Sequence, residues 1–388
     1  MDFSFSKEHQ MFRQMVHEFA EQEVRPLAMK HDRQESLDPE LVRKLGDAGL
    51  LGVPFDQKYG GAGLGEVGYC ILMEEIGRVD TSTATLIGAH IGIAAMTIYL
   101  GGSEPQKMKY MPDLAGGRKI GAFCLTEPDA GSDAAKVSTR AIRDGNNWII
   151  NGSKIYITNG PIAGIYAVYA STDPSLGARG GVTAFVVERD LPGVGIGTIE
   201  HKMGIRGSST SEVVFDEVCV PAANVLGQVG TGFIFAMQAL DGGRVGLGAA
   251  CLGGMRAALE YMSQYAAVRQ QFGRKIGEKQ SVQWMIAETA AELEALRALV
   301  YRTAWLVDTH QPFTLEAGAC KLLGSEMASR AIDRALQIHG ALGYSRDFPV
   351  ERAWRDARIG EIFEGTNEIQ RIVIAENVLA PYGVRVRP

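Results

Sequence analysis

The hydrophobic pattern of this chain changes its period twice, and this change constrains the fold more than any other feature of the sequence. Apolar residues recur at helical spacing over roughly the first 115 residues, as at Met11, Met15 and Phe19. From about Lys119 the chain instead consists of short runs rich in β-branched and aromatic residues, separated by Gly, Asn, Asp and Pro. Long helical patterns return after about Gly230. The sequence therefore predicts helices, then strands, then helices.

This order predicts three domains and a mainly α fold with a central β domain. A chain of 388 residues exceeds the usual size of one hydrophobic core. We expect an N-terminal helical domain at 1–118, a middle β domain at 119–228 and a C-terminal helical domain at 229–388. The last of these should contain long helices at 281–309 and 315–339. Strands and helices do not alternate, so a doubly wound parallel sheet is not expected.

Local signals predict where the first helices begin and end. Ser6 is a possible N-cap of the first helix, and Pro26 is expected to close it. Asp38 as N-cap, Pro39 at the first helical position and Gly49 as the stop define a short second helix.

Within the β domain, Asn151-Gly152 stands between two strand-like runs. Both residues can adopt a positive φ, which the tight turn of a two-residue hairpin requires. We therefore expect a hairpin turn at this dipeptide.

One apolar stretch, "TSTATLIGAHIGIAAMTIYLGGS" at 81–103, is uncharged and long enough to span a bilayer. It contains several Thr and Ser residues and His90, and it lacks flanking basic or aromatic anchors. We expect a helix buried inside the protein and no membrane span.

The charge and cysteine content disfavour several classes of protein. The 39 Lys and Arg residues against 45 Asp and Glu give a net charge of −6 without long runs of one sign, so no nucleic-acid partner is expected. The cysteines lie far apart without a CxxC pair, which disfavours a metal site and a disulfide framework. They are Cys70, Cys124, Cys219, Cys251 and Cys320. Reduced thiols, and a start without a signal-peptide or transit-peptide pattern, predict a cytoplasmic protein.

The usual signatures of nicotinamide-dependent enzymes and hydrolases do not occur. The stretches "GGAGLG" and "GVGIG" miss the GxGxxG spacing and do not lie between a strand and a helix, so no dinucleotide fingerprint is present. No P-loop, HExxH or GxSxG motif is found either.

The stretch "EIFEGTNEIQR" near the end raises a question about Glu364, which Gly365 and Thr366 separate from a helix-like run. A Glu beside a helix start commonly complements the positive end of the helix dipole. A carboxylate among apolar neighbours such as Ile362 and Phe363 can instead have a raised pKa and act as a base. The residues themselves leave both interpretations open.

Five motifs occur in the order and spacing typical of one enzyme family. They are "FCLTEPDAGSD", "IYITNG", "RQQFGRKIGEKQ", "QIHGALGYSRDFPVER" and "IFEGTNEIQR". Small residues in the first motif let backbone N–H groups approach a flat ring or a phosphate closely. On these motifs the chain resembles the acyl-CoA dehydrogenase family, from its first helix to its last. The stretch "LDGGRVG" is most similar to the short-chain and branched-chain members.

The resemblance implies FAD as the cofactor and no metal. It also implies that the middle domain is β-sandwich or barrel-like and that the C-terminal domain is a four-helix bundle. Members of the family take a proton from the α-carbon of an acyl-CoA thioester while a hydride leaves the β-carbon for flavin N5, which gives the trans-2-enoyl-CoA. Electron-transferring flavoprotein is the usual electron acceptor. A homotetramer, built as a dimer of dimers, is implied as well.

The resemblance assigns the base to Glu364, the Glu of the family's EGT-type motif. One branch of the family takes its base from an earlier helix, at the position that corresponds here to Gly243. Asp241 is a nearby carboxylate to consider there, although the resemblance gives Asp241 and Arg244 contacts with the CoA part of the substrate. An ion pair between these two residues at a helix end is the purely structural alternative.

Cofactor contacts within one subunit are implied for Phe123, Leu125, Thr126, Gly131, Ser132, Tyr156, Ile157, Thr158, Thr366 and Glu368. Residues implied to reach the flavin of a neighbouring subunit are Arg269, Phe272, Gln280, Gln337, Gly340 and Ala341. Ser132 and Gly365 are also implied to contact the substrate. Tyr156 stands where many relatives have Trp, and Ala341 where many have Gly. His339 is expected to be a packing residue.

Other activities on the same scaffold remain open. An acyl-CoA oxidase would pass electrons to O₂. Nitroalkane oxidation is disfavoured, because it is expected to place Asp at position 364. A non-catalytic helical binding protein is disfavoured because Glu364, Arg244 and Arg269 are all present. The acyl chain length is left open, since it depends on side chains around 90–97 and 240–250.

Overall fold

The computed structural model describes residues 4–386 and begins with a series of helices. They are α1 (Lys7–Phe19), α2 (Arg25–Gln34), α3 (Pro39–Asp47), α4 (Gly65–Gly77), α5 (Thr81–Ile87), α6 (Met96–Gly101) and α7 (Glu104–Ala115). A π-helical segment joins α1 to α2 at Ala20–Val24, and another joins α5 to α6 at Gly88–Ala95.

A mixed β-sheet follows these helices. Its strands are β1 (Gly121–Cys124), β2 (Arg140–Asp144), β3 (Asn147–Thr158), β4 (Ile165–Ser171), β5 (Val182–Glu188), β6 (Val194–Ile199), β7 (Thr210–Pro221) and β8 (Val225–Leu226). The strand order is β6-β7-β3-β2-β4-β5-β8, and β1 pairs in parallel with β4. A short helical turn, α8 (Ala178–Gly181), lies between β4 and β5.

The sheet folds over a core of its own. Its two halves meet where β2 and β4 pair at Arg140 and Ser171. Large side chains from both halves enter one buried cluster, in which Trp148 of β3 packs edge-on against Phe185 of β5, with ring centroids 5.7 Å apart. This arrangement agrees with the sandwich or barrel-like domain that was expected.

The chain ends in a second set of helices. They are α9 (Gly232–Val268), α10 (Gln280–Asp308), α11 (Thr314–His339), α12 (Pro349–Ala357) and α13 (Asn367–Leu379). A hairpin of β9 (Gln270–Gln271) and β10 (Arg274–Lys275) connects α9 to α10. Helices α9, α10 and α11 pack on one another and α13 packs on α11, which gives the expected four-helix bundle. The predicted fold class, mainly α with a central β domain, is confirmed.

The capping signals read from the sequence are present in the structure. The side chain of Ser6 accepts the N–H of His9 at 3.1 Å, and that of Asp38 accepts the N–H of Glu40 at 3.0 Å. Gly49 follows α3 with a φ of +70°, the left-handed conformation that ends many helices.

The prediction that Pro26 closes the first helix is wrong. Pro26 lies in the first turn of α2, and the chain is helical on both sides of it. The π-helical segment Ala20–Val24 directly precedes α2. Proline fits the first turn of a helical segment because it lacks an N–H group, and the wider π turn accommodates its ring.

The hairpin predicted at Asn151-Gly152 is also wrong, because β3 runs through both residues. Gly152, with a φ of +146°, sits beside a bulge against β7, and the side chain of Asn151 donates to Glu217 of β7 at 2.7 Å. The turn between β2 and β3 lies instead at Gly145-Asn146, where Gly145 has a φ of +57°. The dipeptide signal marked a bulge in a long strand rather than its end.

The apolar stretch near residue 90 forms a helix, Thr81–Gly101, that is long and apolar enough to cross a membrane by length and composition. Of its most apolar window, 72% is buried inside the protein, as the sequence predicted. Its centre is the π-helical segment Gly88–Ala95. Such segments are rare and are found frequently at functional sites.

Candidate active site

Glu364 lies in a strained loop immediately before α13. Its φ of +54° is in the left-handed region, which costs a residue other than glycine about 1–3 kcal/mol. Gly365 follows at +86°, and Thr366 caps α13 by accepting the N–H of Ile369 at 3.4 Å. Strain of this kind persists where surrounding contacts hold it, and it is concentrated at functional sites.

Side chains from three helices hold this loop in place. Arg244 of α9 donates from Nε to the backbone oxygen of Glu364 at 3.3 Å. Gln370 of α13 donates from Nε2 to the backbone oxygen of Gly365, the residue after Glu364, at 3.1 Å. Lys321 of α11 is fully buried and donates from Nζ to Asn367, the first residue of α13, at 2.7 Å. The position of the loop is therefore set by α9, α11 and α13 together.

The carboxylate of Glu364 faces into the protein. Its Oε2 atom is buried and makes no hydrogen bond to any of the described residues 4–386, although Glu364 as a whole is partly exposed. A Cβ atom at Gly243 would lie 3.0 Å from this oxygen and 2.8 Å from Cγ2 of Ile93. The carboxylate thus stands over a glycine of α9, and a side chain at that position would compete for its space.

Burial raises the pKa of Glu364 to about 7, and the positive charges of Arg244 and Lys321 oppose this shift without cancelling it. The N–H groups at the start of α13 are capped by Thr366 instead. A carboxylate with an unpartnered oxygen and a pKa near neutrality has the properties of a general base rather than those of a dipole-complementing residue.

The residues that desolvate Glu364 differ from those the sequence suggested. Ile362 is 48% exposed, so it does not form an apolar wall around the carboxylate, and Phe363 is only partly buried. The wall comes from α9 and from the π-helix that contains Ile93, both remote in sequence. The expected physical effect is present, but the neighbouring residues do not produce it.

Asp241 and Arg244 form an ion pair, with 2.6 Å between Oδ1 and the guanidinium nitrogen. Asp241 also accepts the hydroxyl of Thr314 in α11 at 2.8 Å. The structural alternative noted from the sequence is therefore real, although the pair lies inside α9 and not at a helix end. Because Arg244 also contacts the backbone of Glu364, the pair connects the expected CoA-binding position to the loop of Glu364.

Several residues expected to hold FAD lie on two adjoining segments of the β domain. The N–H of Ile155 in β3 donates to the backbone oxygen of Thr126, just after β1, at 3.0 Å. Tyr156 follows at a bulge of β3 with a φ of +55°, and its ring is 63% exposed. Leu125 and Ile157 are buried beneath this surface. The bulge turns an aromatic ring outward, where a flat cofactor ring can lie against it.

The other expected contacts of this group vary in exposure. Phe123 and Thr158 are partly buried, whereas Gly131 and Ser132 are exposed in the loop after β1. A Cβ atom at Gly131 would meet no atom within 4 Å, so open space borders the backbone there. The exposed ring, the hydroxyl groups and the accessible backbone fit the isoalloxazine ring and phosphates of FAD. Thr366 and Glu368 lie apart from these strands, at the start of α13.

A buried ion pair ties the loop after β1 to β3. Nζ of Lys154 and Oε1 of Glu127 are 2.6 Å apart, and both side chains are almost fully buried. Glu127 also accepts the N–H groups of Ser138 and Thr139 at 2.6 and 3.0 Å. Burial opposes the ionisation of Glu127, but the charge and hydrogen bonds of Lys154 outweigh it and lower the pKa of Glu127 to about 2. The carboxylate of Glu127, near the start of the loop, thus binds the end of the loop at Ser138 and Thr139.

The π-helix Gly88–Ala95 lies between the expected flavin segment and Glu364. It packs against both β1 and α9. His90 in this helix accepts the N–H of Gly121 at Nδ1 and donates from Nε2 to the backbone oxygen of Leu114, at 2.9 and 3.0 Å. Burial lowers the pKa of His90 to about 4, which keeps the imidazole neutral. The neutral ring fixes β1 to the helix that faces Glu364.

The residues expected to reach a neighbouring subunit are exposed on the C-terminal bundle. Arg269 follows α9, Gln280 begins α10, and both are exposed. Phe272, at the turn of the β9–β10 hairpin, is 92% exposed and has a φ of +56°. Nζ of Lys279 lies 4.2 Å from the centroid of this ring.

The second part of this exposed group lies at the end of α11. Tyr265, near the end of α9, stacks on His339 with ring centroids 4.5 Å apart, which places the two helix ends side by side. His339 is buried and has the packing environment that was expected. Beside it, Gln337, Gly340 and Ala341 are exposed, and Gly340 has a positive φ of +58°.

Sequence reasoning missed the π-helix, the buried Lys154 and Lys321, and Tyr69 of α4, whose phenol lies near Gly243. A π turn has no residue signature, and a buried lysine resembles a surface lysine until its partner is known. One signal in the sequence could have indicated that α9 lies close to α4 and the π-helix, namely the repeated glycines at and around Gly243.

No group of three or more His, Cys, Asp or Glu side chains in residues 4–386 is arranged to hold a metal ion. The cysteines are free.

Three family models match the chain in succession, and together they define a flavin-dependent oxidoreductase. The model of the acyl-CoA dehydrogenase N-terminal domain matches residues 6–118, that of the middle domain 122–218, and that of the C-terminal domain 230–379. The chain belongs to the acyl-CoA dehydrogenase family, and the resemblance seen in the motifs is confirmed.

Similar proteins match over nearly the whole chain. The short-chain specific acyl-CoA dehydrogenase of Clostridium acetobutylicum is 43% identical over 378 residues, which cover 97% of this chain and 100% of that protein. The structure of butyryl-CoA dehydrogenase from Megasphaera elsdenii has a TM-score of 0.96 at 41% identity and covers 98% and 100%. A chain in the structure described as the electron transferring flavoprotein of Acidaminococcus fermentans also has a TM-score of 0.96, at 42% identity, and covers 98% and 100%. The predictions of an acyl-CoA dehydrogenase and of FAD as cofactor are confirmed.

Proposed function

We propose that this protein oxidises short-chain acyl-CoA thioesters to their trans-2-enoyl-CoA products, with Glu364 as the base that removes the α-proton. The observation that carries the proposal is the Glu364 carboxylate, whose Oε2 atom is buried without a partner and whose pKa burial raises to about 7. The similarity to proteins named as short-chain and butyryl-CoA dehydrogenases supports a short acyl chain.

The chemistry requires a carboxylate that is stronger as a base than one in water. Oε2 of Glu364 accepts no hydrogen bond, so it can take a proton without first losing a protein donor. The contacts of Arg244 and Gln370 hold the loop so that the oxygen stays in position. The backbone N–H of Glu364 is assigned to the thioester oxygen, where it stabilises the negative charge that develops as the proton leaves. FAD, when bound, accepts the hydride that leaves the β-carbon.

Substrate contacts are assigned to four residues, Ser132, Asp241, Arg244 and Gly365. The ion pair of Asp241 and Arg244 is mostly buried and adjoins the loop of Glu364, so a group bound there would lie close to the base. Ser132 is exposed in the loop after β1.

We expect kcat/KM to depend on pH through Glu364. The base acts only when it is ionised, so log kcat/KM should rise with a slope of about 1 below its pKa and level off above about 7. The pKa of this carboxyl is higher in the folded state, so its protonation at low pH stabilises the fold, and the loss of rate is not unfolding through this group. The profile is measured with butyryl-CoA and an artificial electron acceptor. A value of kcat/KM that does not change through neutral pH would contradict the assignment. Asp241→Asn is the control and should show the same rise of kcat/KM with pH.

A homotetramer, in which the exposed group around Arg269 and Gln337 serves the flavin of a second copy, is part of the proposal. The support is the exposure of Phe272 and its neighbours on the C-terminal bundle. A monomer that retains full FAD occupancy in solution would contradict it.

Arg269→Ala should weaken FAD retention by about 1.5–3 kcal/mol, or roughly 10- to 150-fold, through loss of a charge-assisted hydrogen bond to the pyrophosphate. The measurement is the dissociation constant of FAD from the apoprotein, by flavin fluorescence. Arg274→Ala, in the same exposed hairpin, is the matched control and should bind FAD like the unchanged protein. Equal FAD affinity in both variants removes this role from Arg269.

Electron-transferring flavoprotein is the proposed electron acceptor, and the cytoplasm is the proposed location of this protein. The support is the similarity to a chain of the Acidaminococcus fermentans structure. The proposal is tested with a panel of acyl-CoA thioesters, first with an artificial acceptor and then with electron-transferring flavoprotein. Turnover of butyryl-CoA with both is expected. Rapid reoxidation of the reduced protein by air would favour an oxidase, and NADH formation would exclude the proposed acceptor.

A further inference from the structure

Tyr69 fills a narrow slot between α4, α9 and the π-helix. The residue projects from α4 and is 1% exposed. A Cβ atom at Gly92 of the π-helix would lie 2.6 Å from its hydroxyl oxygen. A Cβ atom at Gly246 of α9 would lie 2.5 Å from its ring. Only glycine leaves room for the phenol at these two positions.

The Tyr69 hydroxyl is buried and has no hydrogen-bond partner in the described part of the chain. A buried phenol normally finds one. The slot also lies close to Glu364, because a Cβ atom at Gly92 would be 3.4 Å from Cα of Gly243, and Gly243 faces the Glu364 carboxylate. Two unpartnered polar groups therefore flank the same contact between α9 and the π-helix. Each of these two groups needs an explanation, and both lie at the place where α4, α9 and the π-helix meet the loop of Glu364.

The geometry of α9 sets how far this space extends. Gly242 is buried, yet no described atom outside its own stretch of helix lies within 4 Å of where its Cβ would be, so open space borders α9 at this residue. Gly243 and Gly246 are three residues apart, which is about 4.5 Å along the helix axis. A chain that starts at Glu364 and runs along α9 therefore meets the Tyr69 phenol within one helical turn.

We propose that Tyr69 forms the floor of the acyl pocket and restricts the enzyme to short acyl chains. This inference rests on the proposed function, since it assumes that the group beside Glu364 is an acyl thioester. The glycines of α9 and the π-helix allow the phenol to occupy the space that a longer chain would need. Tyr69 thus sets specificity from α4.

Tyr69→Ala tests the proposal in the FAD-loaded enzyme. The ratio of kcat/KM for octanoyl-CoA to that for butyryl-CoA should rise by about tenfold or more, mainly through a lower KM for octanoyl-CoA. The dissociation constant of trans-2-octenoyl-CoA, measured by calorimetry, should fall in parallel. Tyr69→Phe keeps the ring and removes only the hydroxyl, so its ratio should stay within about twofold of the unchanged enzyme.

FAD content and far-UV circular dichroism establish that the variants are folded, and Tyr69→Leu replaces Tyr69→Ala if the alanine variant does not fold. The proposal is overturned if a folded Tyr69→Ala or Tyr69→Leu variant has the same ratio of kcat/KM for octanoyl-CoA to butyryl-CoA as the unchanged enzyme. It is also overturned if Tyr69→Phe raises this ratio as much as Tyr69→Ala does. An unchanged enzyme that oxidises no acyl-CoA overturns the proposed function itself. If the unchanged enzyme oxidises butyryl-CoA and the variants keep its preference for butyryl-CoA over octanoyl-CoA, only the role of Tyr69 is overturned.

Discussion

Glu364→Gln should retain the fold, the yellow colour and acyl-CoA binding, yet lose at least about 10²–10⁴-fold in turnover. Gln has the same shape as Glu and can form hydrogen bonds, but it cannot accept the α-proton. The unchanged Oε2 atom makes no hydrogen bond, and the backbone contacts of the loop come from Arg244 and Gln370, so the substitution removes no contact that holds the loop. The measurement is steady-state oxidation of butyryl-CoA, normalised to bound FAD.

Two other carboxylates serve as controls for this result. Glu361 lies three residues earlier and pairs with Arg358 at 2.7 Å, so Glu361→Gln should keep its turnover. Asp241→Asn should change KM more than kcat. If turnover survives in Glu364→Gln and disappears in Asp241→Asn, the base is Asp241. If Glu364 only complemented the helix dipole, its replacement would cost about 0.3–1 kcal/mol of stability and leave the rate unchanged.

Glu127→Gln should destabilise the β domain by about 3–5 kcal/mol and release FAD, because it leaves the fully buried Lys154 charge without its partner. The loop after β1 would also lose the carboxylate that accepts the N–H groups of Ser138 and Thr139. Urea unfolding, followed by circular dichroism and by flavin fluorescence, measures both effects.

The same loop contains a matched surface ion pair for comparison. Lys136 and Asp133 are 2.8 Å apart and both are largely exposed, so Lys136→Ala should change stability by less than about 1 kcal/mol. A double variant that replaces Glu127 and Lys154 by Leu and Met should recover part of the stability lost by either single change. Equal, small losses in Glu127→Gln and Lys136→Ala would show that the buried pair does not hold the loop.

The sequence was sufficient for the order of the elements and for their caps, because these depend on local signals. The 3.6-residue period predicted the long helices α10 and α11, and Ser6 and Asp38 cap the helices that they were expected to start. Local signals failed where tertiary contacts decide the outcome. Pro26 follows a π turn, and Asn151 is bonded across the sheet to Glu217, and neither neighbour is visible in the local sequence.

For the site, the sequence identified the residue but not its surroundings. Glu364 was singled out from its motif, whereas the cause of its raised pKa lies in α9 and the π-helix, more than a hundred residues away along the chain. Tyr69 was missed for the same reason, since a tyrosine in an apolar helix looks like any core residue. Gly243 was noted only as the position where another branch of the family carries its base. The role of this glycine and its neighbours in bringing α9 close to the π-helix was evident only in the structure.

The most direct test of Glu364 as the base is exchange of the substrate's α-proton with solvent. The FAD-loaded enzyme is incubated with butyryl-CoA in D₂O without oxygen or an electron acceptor, and deuterium at the α-carbon is followed by mass spectrometry. The unchanged enzyme and Glu361→Gln should both exchange the α-proton, and Glu364→Gln, with FAD still bound, should exchange at least about 10²–10⁴-fold more slowly. Exchange by Glu364→Gln at the rate of the unchanged enzyme would contradict the assignment of Glu364 as the base.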